Sequence, residues 1–144
     1  MVICSMIFYG TLMDLRLAHR ITGIAPVKCQ VGYVWGEIYE IIDPTEPNGI
    51  YKYPAITLGN QKMKIMALLV QYELKNTEKF WANLMEYEGD MYNYAETDFF
   101  NLDGSISSGH IAVIKNDEKL TTNCNSIEIE EHKGSYIFLK ECII

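Results

Sequence analysis

Apolar and polar positions change period several times along the chain, and each change marks an element. Residues 2–9 are rich in β-favouring side chains and stop at Gly10, which predicts a first strand ended by a turn. In residues 14–21 the spacing predicts a short helix with Leu15, Ala18 and His19 turned inward and Gly23 behind it. Residues 31–42 mix β-branched and aromatic side chains with Gly32 and Gly36, a strand with a bend or bulge where backbone passes close to something. Pro44, Pro47 and Asn48-Gly49 predict a loop over residues 43–53. Tyr53-Pro54-Ala55-Ile56-Thr57 follows as a short extended piece, because a residue before proline is pushed toward β.

Residues 62–74 predict a strand whose apolar centre is buried on both faces. Residues 76–88 form the best-marked helix, with Asn76 as N-cap, Glu78 in the first turn and Gly89 just past the end. Residues 94–100 and 110–114 are strand-like, with Asp103-Gly104 in the turn between them. Residues 115–133 are polar and expected to be irregular, and residues 136–139 form a last strand or a short docked segment. Strands with two or three helices among them predict the α+β class. With no repeat, low-complexity tract or linker, residues 1–144 are expected to form a single domain.

Composition narrows the function classes. A chain of 144 residues buries roughly 68–70% of its unfolded surface and can hold a core without staples. Hydrophobic residues at 49% and charged residues at 22% exclude disorder over most of the length. Nineteen acidic against twelve basic side chains give a net charge of −7, which repels phosphate backbones and anionic lipid. Nucleic acid and membrane surfaces are therefore not the expected partners. Cysteines at 4, 29, 124 and 142 form no CxxC pair, and are expected to be reduced thiols in a cytoplasmic protein. No basic residue precedes Arg16, which argues against a signal peptide, and the apolar run at residues 65–70 is too short to span a bilayer. His19, His110 and His132 have no metal-ligand spacing, so no metal is expected. Neither a nucleophile elbow nor a glycine-rich phosphate loop is present.

Two features could carry chemistry. Tyr9-Gly10-Thr11-Leu12 lies between a strand and a helix. It is either an ordinary turn or a loop whose successive N–H groups hold a carboxylate or carbonyl oxygen. The second is the helix end Leu84-Met85-Glu86-Tyr87-Glu88-Gly89. Helical spacing puts Glu88 on the side of Trp81, Leu84 and Met85, and Glu86 on another, solvated side. Glu88 is then either a surface glutamate in a frayed last turn or an inward carboxylate. In the second case desolvation and the negative end of the helix dipole both raise its pKa, which suits a group that accepts and then donates a proton near neutral pH.

Four motifs in order carry a resemblance. Ile7-Phe8-Tyr9-Gly10-Thr11-Leu12 resembles the hydrophobic-YGTL signature of the γ-glutamylcyclotransferase-like family, which includes γ-glutamylamine cyclotransferases and avirulence-induced-gene-like proteins. Gly36-Glu37-Ile38-Tyr39 matches its G-x-[LI]-Y, Tyr53-Pro54-Ala55 its Y-P-A, and Leu84-Met85-Glu86-Tyr87-Glu88-Gly89 followed by Tyr92 its L-D-x-x-E-G. The matched stretch runs from residue 7 to about residue 114. The resemblance implies a small mixed β-barrel or strongly curved sheet flanked by two or three helices, with a cavity between the YGTL loop and the glutamate. It implies cleavage of a γ-glutamyl amide by attack of the α-amine on the γ-carbonyl, releasing 5-oxoproline and an amine without a cofactor. Carried over, Tyr9, Gly10, Thr11 and Leu12 would cradle the glutamyl head through backbone groups, Tyr53 and Tyr92 would line the substrate site, and Glu88 would be the general acid/base.

The expected partner is a small-molecule γ-glutamyl amide, bound by a monomer or homodimer. Three departures stand out: Met85 replaces the usual aspartate, Tyr94 stands where many members have arginine, and residues 66–72 depart from the common V-x-G-E-L-Y form. They motivate an alternative, a non-catalytic small-molecule or peptide-binding member of the same fold.

Overall fold

The computed structural model describes residues 1–42, 52–58, 63–89 and 92–114, together with short strands at 124–126 and 135–136. The first strand, β1 (Val2–Phe8), ends in a single 3-10 turn, Thr11–Met13, and helix α1 (Leu15–Thr22) follows. Next come β2 (Lys28–Ile42), β3 (Lys52–Thr57), β4 (Met63–Leu74), helix α2 (Thr77–Glu88), β5 (Tyr92–Asn101) and β6 (Ile106–Ile114). Two short strands, β7 (Cys124–Ser126) and β8 (Ser135–Tyr136), complete the described elements.

Strands β2, β5, β6, β1 and β4 pair in that order, and β4 returns to β2, so five strands close into a barrel. Four of the junctions are antiparallel; β1 and β6 run parallel, with Met6 opposite His110. The long strand β2 serves two sheets. Residues 28–36 pair with β4 without interruption of register, and residues 37–42 run on past β4 to pair with β3. The predicted bulge is therefore a change of partner at Gly36. The predicted close approach is real: a Cβ on Gly32 would collide with the Phe100 carbonyl oxygen and the Phe99 ring. Gly32 faces Asn101 where β2 and β5 pair, and only glycine leaves room for the neighbouring strand this near.

Strand β4 explains its own apolar centre. Ile65, Ala67 and Leu69 face the barrel interior with Ile7, Tyr9, Val34, Ile38, Ile56, Phe99 and Ile111. Leu68, Val70, Tyr72 and Leu74 face outward, where Phe80, Leu84, Ala18, Leu12 and Met13 cover them. The two helices thus seal one outer face of the barrel.

Both helices obey their capping residues. The Asp14 carboxylate accepts from Arg16 N–H at 3.0 Å, and Asn76 Oδ1 accepts from Lys79 N–H at 3.1 Å. Gly23 (φ 76°) and Gly89 (φ 81°) end the two helices in a region that side chains avoid. The Asp103-Gly104 turn is also as expected, with Ser105 N–H and Oγ bonded to Asp103 Oδ1.

Several expectations are corrected. His19 is exposed, because α1 is two turns long and its inward positions are Ala18 and Thr22. The expected irregular stretch 115–133 contains β7, paired with residues 39–41 of β2; the rest of it lies outside the described residues. The loop expected over 43–53 lies outside them up to residue 51, and Lys52 and Tyr53 belong to β3. The last-strand reading holds for Tyr136, which pairs parallel with Ile65, whereas 137–139 lie outside the described residues. Within the described residues no helix is long and apolar enough to cross a membrane.

Candidate active site

Beyond β1 the chain turns sharply and returns as a helix. The turn uses Met13 N–H to Gly10 C=O at 3.0 Å and Asp14 N–H to Thr11 C=O at 3.1 Å. The N–H groups of Thr11 and Leu12 take no part in those two bonds. Gly10 sits at φ −117°, outside the left-handed region. Side chains leave this loop in different directions. Tyr9 enters the barrel interior, where its hydroxyl donates to Ala112 C=O at 2.7 Å, and Leu12 enters the helix-covered core. Thr11 reaches across to the end of α2, with its Oγ1 hydrogen-bonded to the Tyr87 hydroxyl at 2.5 Å. That bond ties the loop to the helix that carries Glu88.

Helix α2 buries Phe80 and Leu84 and half-buries Trp81 and Glu88, while Glu86 stays exposed. Met85 departs from the expected stripe: it is 58% exposed. The inward face is therefore narrower than the sequence suggests, but it includes Glu88. Burial pushes the Glu88 carboxyl from 4.5 up to about 7, since the apolar surroundings penalise its charged form. Among the described residues no cation contributes to the shift.

Three tyrosines share this region. Tyr92 and Tyr94 alternate onto one face of β5, opposite Ile114 and Ala112 of β6. Tyr9 lies within electrostatic reach of Tyr92, Glu88 and Tyr94; burial first, and then these neighbours, raise its pKa. Burial, then the Glu88 charge, also raises the Tyr94 pKa. The Tyr94 ring meets Trp81 edge-on with centroids 5.1 Å apart, and Trp81 meets His110 at the same spacing.

Thus Tyr9, Thr11, Glu88 and Tyr92, from three separate segments, come together at one end of the barrel. Tyr53 stands on β3 opposite Ile41, and its side chain lies outside the described residues. Tyr94 was not among the substrate-site residues expected from sequence. The signal that would have found it is the two-residue period of a strand, which sends residues 92 and 94 to the same face. Among the described residues no three histidine, cysteine or acidic side chains group as a metal-ligand set.

A cleft of about 590 Å³ lies at the other end of α2 between Arg20, Thr22, Lys75, Asn76 and Lys79. It includes none of the expected site residues.

Neither a protein-family model nor a curated protein sequence matches the chain. Solved structures do. A γ-glutamyl cyclotransferase superposes with a TM-score of 0.61 at 12% identity, over 87% of this chain and 70% of that one. The chain has the γ-glutamylcyclotransferase-like fold. An AIG2-like protein of Mus musculus gives a TM-score of 0.59 at 15% identity, covering 94% of this chain and 96% of that one. A protein of Arabidopsis thaliana solved in solution gives 0.63 at 12% identity, with 92% and 74% covered.

Proposed function

We propose that this chain is a γ-glutamyl cyclotransferase, converting a γ-glutamyl amide to 5-oxoproline and a free amine with Glu88 as proton carrier. The observation that carries the reading is Glu88 itself, a half-buried carboxyl raised to about 7 beside the turn that follows β1. The similarity in fold to a γ-glutamyl cyclotransferase supports it.

The chemistry is intramolecular, so binding a folded substrate supplies most of the entropic advantage. As carboxylate, Glu88 takes a proton from the α-ammonium and frees its lone pair. That nitrogen attacks the γ-carbonyl carbon, the new C–N bond closes the ring, and the carbonyl π pair moves onto oxygen. As the oxyanion collapses, the bond to the leaving nitrogen breaks and Glu88 returns its proton there. The ring nitrogen sheds a second proton, which reaches the departing amine through the same carboxylate, so the amine leaves as an ammonium. A pKa near neutrality makes both directions of transfer accessible. The backbone of Gly10, Thr11 and Leu12 holds the glutamyl head, and the Thr11–Tyr87 bond keeps that loop in register with Glu88. Tyr92 lines the substrate site.

The test is release of 5-oxoproline from γ-glutamyl amino acids, γ-glutamyl-ε-lysine and γ-glutamyl alkylamines, with wild type beside Glu88→Gln. Release by wild type alone is expected, and the preferred member identifies the class of leaving amine. Full turnover by Glu88→Gln on the wild-type substrate would refute the mechanism. Wild-type activity should rise with pH through about 7, as Glu88 becomes the carboxylate. Met85 is exposed, so its departure from the usual aspartate lies on the outer side of α2.

A further inference from the structure

The cleft at the Asn76 end of α2 collects charge against the sign of the whole chain. Acidic side chains outnumber basic ones nineteen to twelve, yet Arg20, Lys75 and Lys79 all line this cleft. Among the described residues Glu73 is the one acidic member of the lining. The three cations come from separate segments. Arg20 belongs to the last turn of α1, Lys75 to the link between β4 and α2, and Lys79 to the first turn of α2. Among the described residues none of the three forms an ion pair. Like charges held around one concavity raise each other's electrostatic energy, and a bound anion removes that cost.

One turn beyond Lys79, on the same face of α2, the half-buried Asn83 also lines the cleft. Its side-chain amide forms no hydrogen bond among the described residues. Ile21, Ile24, Leu74 and Phe80 add apolar surface. The volume, about 590 Å³, is that of a small-molecule site. Cations, an unspent amide and an apolar wall in one cleft suit a ligand with a charged head and an apolar body.

We propose that this cleft is a ligand site in its own right, taking a small organic dianion, a phosphate monoester or a dicarboxylate on an apolar body. Three cations against the single Glu73 carboxylate leave two positive charges for the head, and Asn83 donates to it. The body lies on Ile21, Ile24 and Phe80. The negative charge of the rest of the chain turns away an extended polyanion. A small anion is held by the local cations alone, because charges beyond about 8 Å are screened at physiological salt. The twelve residues of α2 separate this cleft from Glu88 by about 16 Å of helix, and the proposal is independent of the reaction there.

The experiment is titration calorimetry on the full chain at about pH 8 and low salt. The probes are phenyl phosphate and phthalate, with inorganic phosphate as a head without a body and benzylamine as a body with the opposite charge. One phenyl phosphate or phthalate is expected to bind per chain, at least tenfold more tightly than inorganic phosphate, with no binding of benzylamine. Whichever of the two binds more tightly identifies the head group. Replacing both lysines (Lys75→Gln with Lys79→Gln) should weaken binding about tenfold or more, the scale of losing hydrogen bonds from charged donors. Glu73→Gln should tighten it, a gain that a damaged fold does not produce. All three side chains are exposed, so thermal midpoints should stay near that of wild type. Glu88→Gln should bind as wild type does. The proposal is overturned if neither probe binds, or if inorganic phosphate binds as tightly as they do, which would reduce the cleft to surface charge. Unchanged affinity in the lysine double variant would also overturn it. So would loss of binding in Glu88→Gln, which would put the anion at the other end of α2.

Discussion

Glu88→Gln should stabilise the fold, by an amount that grows with pH. The carboxyl titrates at about 7 in the fold against 4.5 in the open chain. At ~1.4 kcal/mol per unit, keeping it charged in the fold costs about 3 kcal/mol. Below about pH 4.5 the group is protonated in both states and contributes nothing to the pH dependence. Between there and about 7 the unfolded chain releases a proton that the fold retains, so wild-type stability falls as pH rises; above about 7 the loss is complete. Glutamine has nearly the same shape and no charge to desolvate. The difference between variant and wild type should therefore be close to zero near pH 4, climb through pH 5–7 and level off at about 3 kcal/mol. Urea unfolding of both proteins at five or six pH values measures it, with equal slopes in denaturant confirming that the same surface is exposed. A difference that stays flat across pH would mean that Glu88 titrates as a hydrated carboxylate, and the inward, desolvated site would be wrong. The experiment is independent of any substrate.

Other substitutions probe the frame around the site. Gly32→Ala would drive a methyl into the Phe100 carbonyl oxygen and to 2.6 Å from two Phe99 ring atoms. Because backbone cannot yield as a side-chain tip can, a loss of about 3 kcal/mol or more is expected in urea unfolding. Asn76→Ala removes the N-cap acceptor of α2 and should cost about 1 kcal/mol with turnover unchanged, since the cap is at the end of the helix away from Glu88. Thr11→Val breaks the bond to Tyr87. That contact is exposed, so the stability change should stay under about 1 kcal/mol, while KM for a γ-glutamyl substrate rises several-fold as the loop loses its register with α2. A KM equal to that of wild type would show that the bond does not set the loop.

The elements were largely legible because their signals are local. Asn76 and Gly89 bracket α2, Asp103-Gly104 marks the β5–β6 turn, and the doubly apolar run of β4 is explained by a barrel core on one side and helices on the other. The helical period joins Glu88 to Trp81 and Leu84 but leaves it either inward or a surface residue in a frayed last turn; its half-burial in the fold decides for the inward position. Met85 and His19 were misplaced because each helix presents a narrower face to the barrel than its apolar residues suggest. The width of that face depends on the curvature of the partner sheet, which no local period records.

The amino-acid sequence alone determined the order of strands and helices, the caps and the α+β class. These follow from side-chain size, backbone freedom and spacing within a few residues. Tertiary structure decided that β2 closes on β4, that β1 runs parallel to β6, and that Thr11 bonds to Tyr87 across 76 residues of chain. It also decided that Tyr94 lies within electrostatic reach of Glu88. Those pairings are selected by how five strands can close around one core. The desolvation that sets the Glu88 proton affinity exists only after distant segments have met.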